Sequence, residues 1–325
     1  MPHDTDPRLL RAFTAVAEEL HFTRAAARLL VAQQALSRDI RRLEREWDTA
    51  LFTRSTRQVA LTADAQRLLP YARRVLAAHD ELAGALGAGL GRPLVVDVAA
   101  PVATGHRVLA AARRAAPEVE FVARFHSGLA RAAAEIAAGR VDVSFGRVAG
   151  LSPAVRAGLE QRLIRWERVA VLLPEEHPLA ACSEVPLAAL AGETLYAAAG
   201  NDETTEWTDY ARSLFAGRGV GLAAPFPKLE GDAEFGRVVR KQGWSVLASE
   251  EFVGLSGMVL RPLTDPVPLA PVSMVWRRGL RHPGLDTLHT AAGSLAEAGG
   301  WLRPPAGAWL PDADRRLLGP APGGR

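Results

Sequence analysis

Cysteine occurs once in this chain of 325 residues, at Cys182. A single thiol excludes an intrachain disulfide and a cysteine-built zinc site, and it reads as a small, half-buried side chain rather than a nucleophile. Lysine is nearly absent, at Lys228 and Lys241 only, so the positive charge is almost all arginine. Together with abundant alanine, glycine and proline, this reads as the imprint of a GC-rich genome. Arginine placement, not abundance, must therefore carry any argument. No apolar run is long enough to cross a bilayer, and the start Met1-Pro2-His3-Asp4 lacks a basic and apolar signal region. The expectation is a cytoplasmic protein with no membrane partner. A net charge of +3 is too small to indicate nucleic acid by itself. With 48% hydrophobic and 23% charged residues, the chain has the profile of a soluble globular protein of two or three domains.

Enzyme signatures are missing too. Gly87 to Gly91 is glycine-rich, but it follows a helical pattern and precedes a strand, the reverse of a dinucleotide site. There is no His-Glu-x-x-His, Walker loop or Gly-x-Ser-x-Gly, and the histidines do not pair at ligand spacing. No catalytic residue, metal or cofactor is expected.

What is present is a change of pattern along the chain. Leu10, Phe13, Val16, Ala17 and Leu20 give a first helix over 7–20. Thr23 reads as the N-cap of a second helix ending at Leu30, and a short turn leads to a third from Gln33 to Trp47. Runs 51–54 and 58–61 flank Ser55-Thr56-Arg57 as a small hairpin. Thr62 then caps a long helix, 63–86, with a seam of Ala65, Leu68, Ala72, Val75, His79, Leu82 and Leu86. A seam sustained through three heptads predicts a second copy of the chain along Leu68, Ala72, Val75 and Leu82; docking on its own domain is the alternative. Glycines 84–91 and Pro93 mark a hinge. Beyond it, strands (94–98, 119–124, 141–145, 168–173, 195–198, 245–247, 258–260, 272–276) alternate with helices (104–116, 128–138), which predicts α/β structure with a parallel sheet. From Arg303 the tail is rich in proline, glycine and alanine and is expected to be poorly ordered.

On a helical wheel, Leu36, Ile40, Leu43 and Trp47 fall on one side of the third helix, and Gln34, Ser37, Arg38, Arg41 and Arg45 on the other. Glutamine, serine and arginine on a helix that can enter the major groove are the side chains that read adenine and guanine edges. An ordinary solvated face is the alternative. Against it, residues 24–57 hold eight arginines and four acids, and Arg54 to Arg57 at a hairpin tip suits phosphate contacts. A helix, short turn and helix of this kind is the helix-turn-helix arrangement, so DNA is the expected partner.

Here the sequence resembles a family. LLRAFTAVAEELHFTRAAARL, ALSRDIRRLE, LFTRSTRQVALT and LLPYARRVL look like the winged helix-turn-helix and linker helix of LysR-type transcriptional regulators. RVLAAARRAAPEVEF, EIAAGRVDVSFGR, VAVLLPEEHPLA, PLAALAGETL and VSMVWRR resemble that family's effector-binding domain. The chain departs at Ala32-Gln33-Gln34, where the family usually reads Ser-Gln-Pro, and at Trp47-Asp48, where it usually reads leucine-glycine. The resemblance implies an α/β protein overall: an all-α winged helix-turn-helix (1–61), a linker and dimerisation helix with hinge (62–91), and a periplasmic-binding-protein-like effector domain (92–302). The effector domain would comprise two α/β subdomains, 92–162 with 279–302 and 163–278, before the tail 303–325.

DNA contacts are then expected from Thr23, Arg24, Gln33, Gln34, Ser37, Arg38, Arg41, Arg54, Ser55, Thr56 and Arg57. A small-molecule effector would sit between the subdomains. Helix starts at Thr104 and Ser127, the loop residues Arg147 and Asn201, and an apolar bed at Ala100 and Pro101 would suit a small carboxylate. Each of these polar residues also reads as a simple cap or turn. Two-fold dimers and tetramers, an inverted-repeat operator and RNA polymerase complete the expected partners. A transporter's solute-binding protein shares the second architecture, but it would need a secretion signal and would have no use for residues 8–60.

Overall fold

The computed structural model describes residues 5–318 except 30, 55–58, 87–91, 99–102, 127, 199–200, 228, 230 and 253. It separates into two compact units, residues 1–92 with 137–140, and 93–136 with 141–325. The expected wing tip, Ser55, Thr56 and Arg57, and much of the expected hinge lie outside the described residues, as do Ala100, Pro101 and Ser127.

The first unit contains α1 (Pro7–Glu19), α2 (Phe22–Arg28), α3 (Gln33–Glu46), the antiparallel hairpin β1 (Phe52–Arg54) and β2 (Val59–Leu61), and α4 (Ala63–Leu86). Proline at the first position and the Asp6 carboxylate, which accepts the Arg8 amide at 2.8 Å, start α1. It stops at Leu20, whose φ of 47° is left-handed. The cap of α2 is His21, whose ring accepts the Arg24 amide; Thr23, expected there, lies one residue inside the helix. No side chain caps α3 at Ala32. Asp48, in the place of the family's glycine, takes a φ of 47° after α3, and the Thr49 amide bonds back to the Glu44 carbonyl. The turn geometry survives because aspartate tolerates the left-handed region better than most residues.

Phe13, Leu36, Ile40, Leu43 and Leu51 are fully buried in the core, each contributing about 1.5–3 kcal/mol relative to exposure. Trp47 packs edge-on against Phe13 and donates its indole N–H to Thr5. The same core corrects the expected seam of α4. Ala65 and Ala72 are buried in it and Leu68 packs against it, so these residues serve their own domain. Among the described residues of α4, the large apolar side chains that remain exposed are Tyr71, Val75 and Leu82, with the exposed Ala78 between them.

The second unit runs β3 (Leu94–Asp97), α5 (Thr104–Ala115), β4 (Phe121–Arg124), α6 (Leu129–Ala137), β5 (Val143–Gly146), α7 (Pro153–Ala157), β6 (Leu159–Pro174), β7 (Val185–Pro186), β8 (Thr194–Tyr196), α8 (Thr205–Phe215), β9 (Gly221–Leu222), α9 (Asp232–Gln242), β10 (Ser245–Ser249), β11 (Met258–Thr264), β12 (Val267–Arg277), α10 (Pro283–Gly299), β13 (Ala308–Trp309) and α11 (Asp312–Leu318). The strand order is β4-β3-β5-β12-β6-β10-β8-β9. Strands β3, β4 and β5 are parallel, as are β8, β9 and β10, each set covered by helices. The sheet is nevertheless mixed, because β12 runs antiparallel to β5 and β6, and β6 antiparallel to β10. The first part of β6 pairs with β12 and the second with β10 and β11, so one 16-residue strand serves both sheets. The sequence pattern shows only its second half, because Arg165 and Glu167 interrupt the apolar run; both are buried and partnered.

The tail is ordered over 303–318, contrary to its composition. Strand β13 pairs with β12, and Leu310 and Asp314 are buried. Tertiary partners, which composition does not report, hold it.

Candidate nucleic-acid interface and effector cleft

In the first unit the apolar side of α3 faces α1 and α2, and its other side is left to solvent. Gln33, Gln34, Arg38, Arg41 and Arg45 are exposed and Ser37 is half-exposed. No ion pair holds Arg38, Arg41 or Arg45 among the described residues. Together with Arg8 and Arg42 they line a depression of ≈ 480 Å³. Arg8 was not legible from the wheel of α3, since α1 brings it in: its guanidinium grips Asp39 with contacts of 2.9–3.2 Å. Asp39, the acid nearest this face, is thereby neutralised. Arg42 pairs with Glu46 at 2.7 Å.

The other expected contacts divide. The Thr23 hydroxyl donates to the Gln33 side-chain oxygen at 3.0 Å, which ties α2 to the start of α3. Arg24 is exposed, but its guanidinium donates to the Glu19 carbonyl at 2.6 Å, so it secures the α1–α2 corner. Arg54 ends β1, next to the tip that lies outside the described residues. The same corner holds Glu18, which receives Arg28 at 2.7 Å and Arg73 at 2.8 Å. Burial pushes the Glu18 carboxyl up, but these hydrogen bonds outweigh it and hold the group below its usual range.

In the second unit the described members of the expected anion site, Thr104, Arg147 and Asn201, are each engaged within the chain. Thr104 begins α5 but is buried, and its hydroxyl donates to Glu167 at 2.5 Å while accepting from Arg165. Burial raises the Glu167 carboxyl above its ordinary range, against the pull of Thr104 and Arg165. Arg165 also reaches Glu250 and Glu251, and Glu251 receives Arg107.

Arg147, the expected charge for a carboxylate, is 5% exposed and fully engaged. Its guanidinium makes three contacts to Asp314, at 2.7–3.1 Å, through Nε and Nη2, and donates once to the Glu206 carbonyl at 2.9 Å and once to Asp209 at 3.1 Å. Burial alone would lower its pKa, but the Asp314 carboxylate outweighs that and holds it above the ordinary arginine value. Asn201 is a cap: its side-chain oxygen accepts the Glu203 amide at 3.0 Å.

The start of α6 is filled as well. The Glu206 carboxylate accepts the Leu129 amide at 2.8 Å, where an external acid was expected. Glycine is required beside it, since a Cβ on Gly150 would lie 2.7 Å from the Glu206 backbone. Glu206, Asp314 and Glu167 have no motif that marks them in the sequence, because their partners lie 63 to 167 residues away.

A helix-turn-helix with an arginine face, joined to a two-sheet α/β unit, is a distinctive combination, and known proteins share it. Residues 7–66 match the family described as "Bacterial regulatory helix-turn-helix protein, lysR family", and residues 87–294 match "LysR substrate binding domain". The chain belongs to the LysR family. This LysR regulator is 36% identical over 189 residues to ShiR of Corynebacterium glutamicum, covering 57% of this chain and 63% of that protein. It is 26% identical over 305 residues to BenM of Acinetobacter baylyi, covering 92% and 98%. Both carry the name HTH-type transcriptional regulator, and neither is named as an enzyme. A full-length OxyR variant from Pseudomonas aeruginosa shares the fold with a TM-score of 0.64 at 20% identity, covering 90% of this chain and 95% of that one. CbnR in complex with its target DNA has a TM-score of 0.62 at 21% identity, covering 89% and 99%. Among the described residues no helix is long and apolar enough to cross a membrane.

Proposed function

We propose that this LysR regulator binds an inverted-repeat operator as a homodimer, with α3 in the major groove, and that it acts in the cytoplasm. The observation that carries this reading is the face of Gln34, Ser37, Arg38, Arg41 and Arg45, whose arginines have no ionic partner among the described residues. Free guanidinia on an exposed helix suit both phosphates and guanine edges. The dimer uses the stripe Tyr71, Val75, Ala78 and Leu82 of α4, whose steps of four, three and four follow a heptad. Pairing of dimers into a tetramer and contact with RNA polymerase belong to the same reading. DNase footprinting on genomic fragments tests it: two protected half-sites related by inversion are expected, and protection no stronger than on random DNA overturns it.

For the effector, the groups near the start of α5 favour a neutral or cationic small molecule over a carboxylate. Glu167, Glu250 and Glu251 outnumber Arg107 and Arg165, and both arginines already hold carboxylates. Arg147 is closed to a ligand by Asp314. A thermal-shift screen of small amines, neutral polar compounds and organic acids checks this class: stabilisation by acids alone refutes it.

A further inference from the structure

The carboxy-terminal segment 301–318 touches both halves of the second unit. The family match ends at residue 294, so this segment lies beyond it. At its start the Trp301 carbonyl accepts the Trp166 amide at 2.9 Å, on the strand β6 that serves both sheets. Strand β13 then adds to β12 at Val267 and Pro268, and Trp309 packs edge-on against Tyr210 of α8 with Arg218 over its ring. Tyr210 and Trp309 belong with the core of the β8–β9–β10 half. Leu317 packs instead against the cluster containing Leu129, Ile136 and Val148, which belong with the β3–β4–β5 half.

Between these anchors Asp314, with no exposed surface, meets Arg147. Arg147 follows β5 and also grips α8 through the Glu206 carbonyl and Asp209. One guanidinium thus joins α8, α11 and the end of β5.

We propose that residues 301–318 form a strap that occupies the Arg147 anion site with Asp314 and holds the two halves of the effector domain in one arrangement. A buried ion pair is specific in direction and weak in net stability, which suits a fastener more than a core. Its consequence rests on the effector-domain reading: a ligand that moves the halves must favour an arrangement the strap opposes. The strap itself can be tested without DNA or effector, so its failure is distinguishable from failure of that reading.

Spin labels at Ala157→Cys, on α7, and Ser183→Cys, beyond β6, in a Cys182→Ser background report the distance between the halves. Both positions are exposed. A protease site inserted at Pro305-Ala306, in the exposed loop before β13, allows the strap to be cut in the folded full-length protein. The uncut chain is expected to show one narrow distance distribution. Cutting, followed by removal of the fragment on a sizing column, should broaden or shift it by several ångströms. A synthetic peptide of residues 306–318 should restore it, whereas the same peptide with Asp314→Asn should not. Should the cut chain aggregate, the uncut double variant Asp314→Asn with Trp309→Ala is measured in the same way and is expected to broaden the distribution. An unchanged distribution after verified loss of the fragment, or in that double variant, overturns the strap. Equal restoration by both peptides overturns the assignment to the Arg147–Asp314 pair.

Discussion

The Glu206 carboxylate accepts the Leu129 amide at 2.8 Å and closes the amino-terminal end of α6 with a group from the chain itself. Its second oxygen is buried without a hydrogen-bond partner among the described residues. Burial raises the Glu206 pKa above its ordinary 4.5, and neither the surrounding amides nor the charge of Arg147 offsets that. The folded state therefore binds this proton more tightly than the unfolded chain does. The resulting contribution to stability is full below the unfolded value and is lost as pH rises through the raised folded value. Glu206→Gln keeps an acceptor and removes the buried charge. Its thermal stability relative to wild type should improve as pH rises from about 4 to about 8, as measured by melting at several pH values; a difference independent of pH would contradict the assignment.

Arg38 stands exposed on the polar face of α3, one turn after Gln34. Arg38→Ala should weaken operator binding by about 1–3 kcal/mol and relax the preference at one base pair. Competition binding with operator and random DNA checks it: equal losses on both would reduce Arg38 to a phosphate contact.

Helix α3 begins at Ala32 without a side-chain cap. Ala32→Ser restores an oxygen for a free amide and should raise the stability of the first unit by about 1 kcal/mol. Urea denaturation of the variant measures it, and no shift in midpoint would mean the start of α3 is satisfied by other means.

The two faces of α4 should respond differently to charge. Leu82 is 60% exposed, and Leu82→Glu should abolish the dimer while leaving the fold intact. Ala72 is 4% exposed within its own core, so Ala72→Glu should unfold the first unit, because an unpaired buried charge is costly. Light scattering and circular dichroism separate the outcomes. A stable dimer of Leu82→Glu with wild-type affinity would place the dimer contact elsewhere.

Left-handed Leu20 offers a backbone test. It ends α1 at a φ of 47° with 45% of its surface exposed, a conformation costing about 1–2 kcal/mol for a residue with a side chain. Leu20→Gly should raise the melting temperature, since the relief exceeds the entropy that glycine adds to the unfolded chain; a lower melting temperature would mean the leucine side chain packs more than its exposure implies.

The amino-terminal unit was legible in the sequence because its information is local. Spacing places Leu36, Ile40 and Leu43 on one side of α3 and the arginines on the other, and short-range signals set its helices to within a residue or two. The chain's alternation of strands and helices likewise announced an α/β unit. Decisions at long range were not legible. Periodicity alone drew one seam along α4, and only packing against α1 separated the buried Ala65 and Ala72 and the half-buried Leu68 from the exposed Val75 and Leu82. Composition marked the carboxy terminus as loose, yet Trp309, Leu310 and Asp314 find partners on β12, α8 and the loop after β5. Arg147 read as a charge for a ligand, or else a turn residue, because it follows the strand 141–145. Burial decided otherwise: a guanidinium taken out of water must be paired, and the fold supplies its carboxylate from 167 residues away.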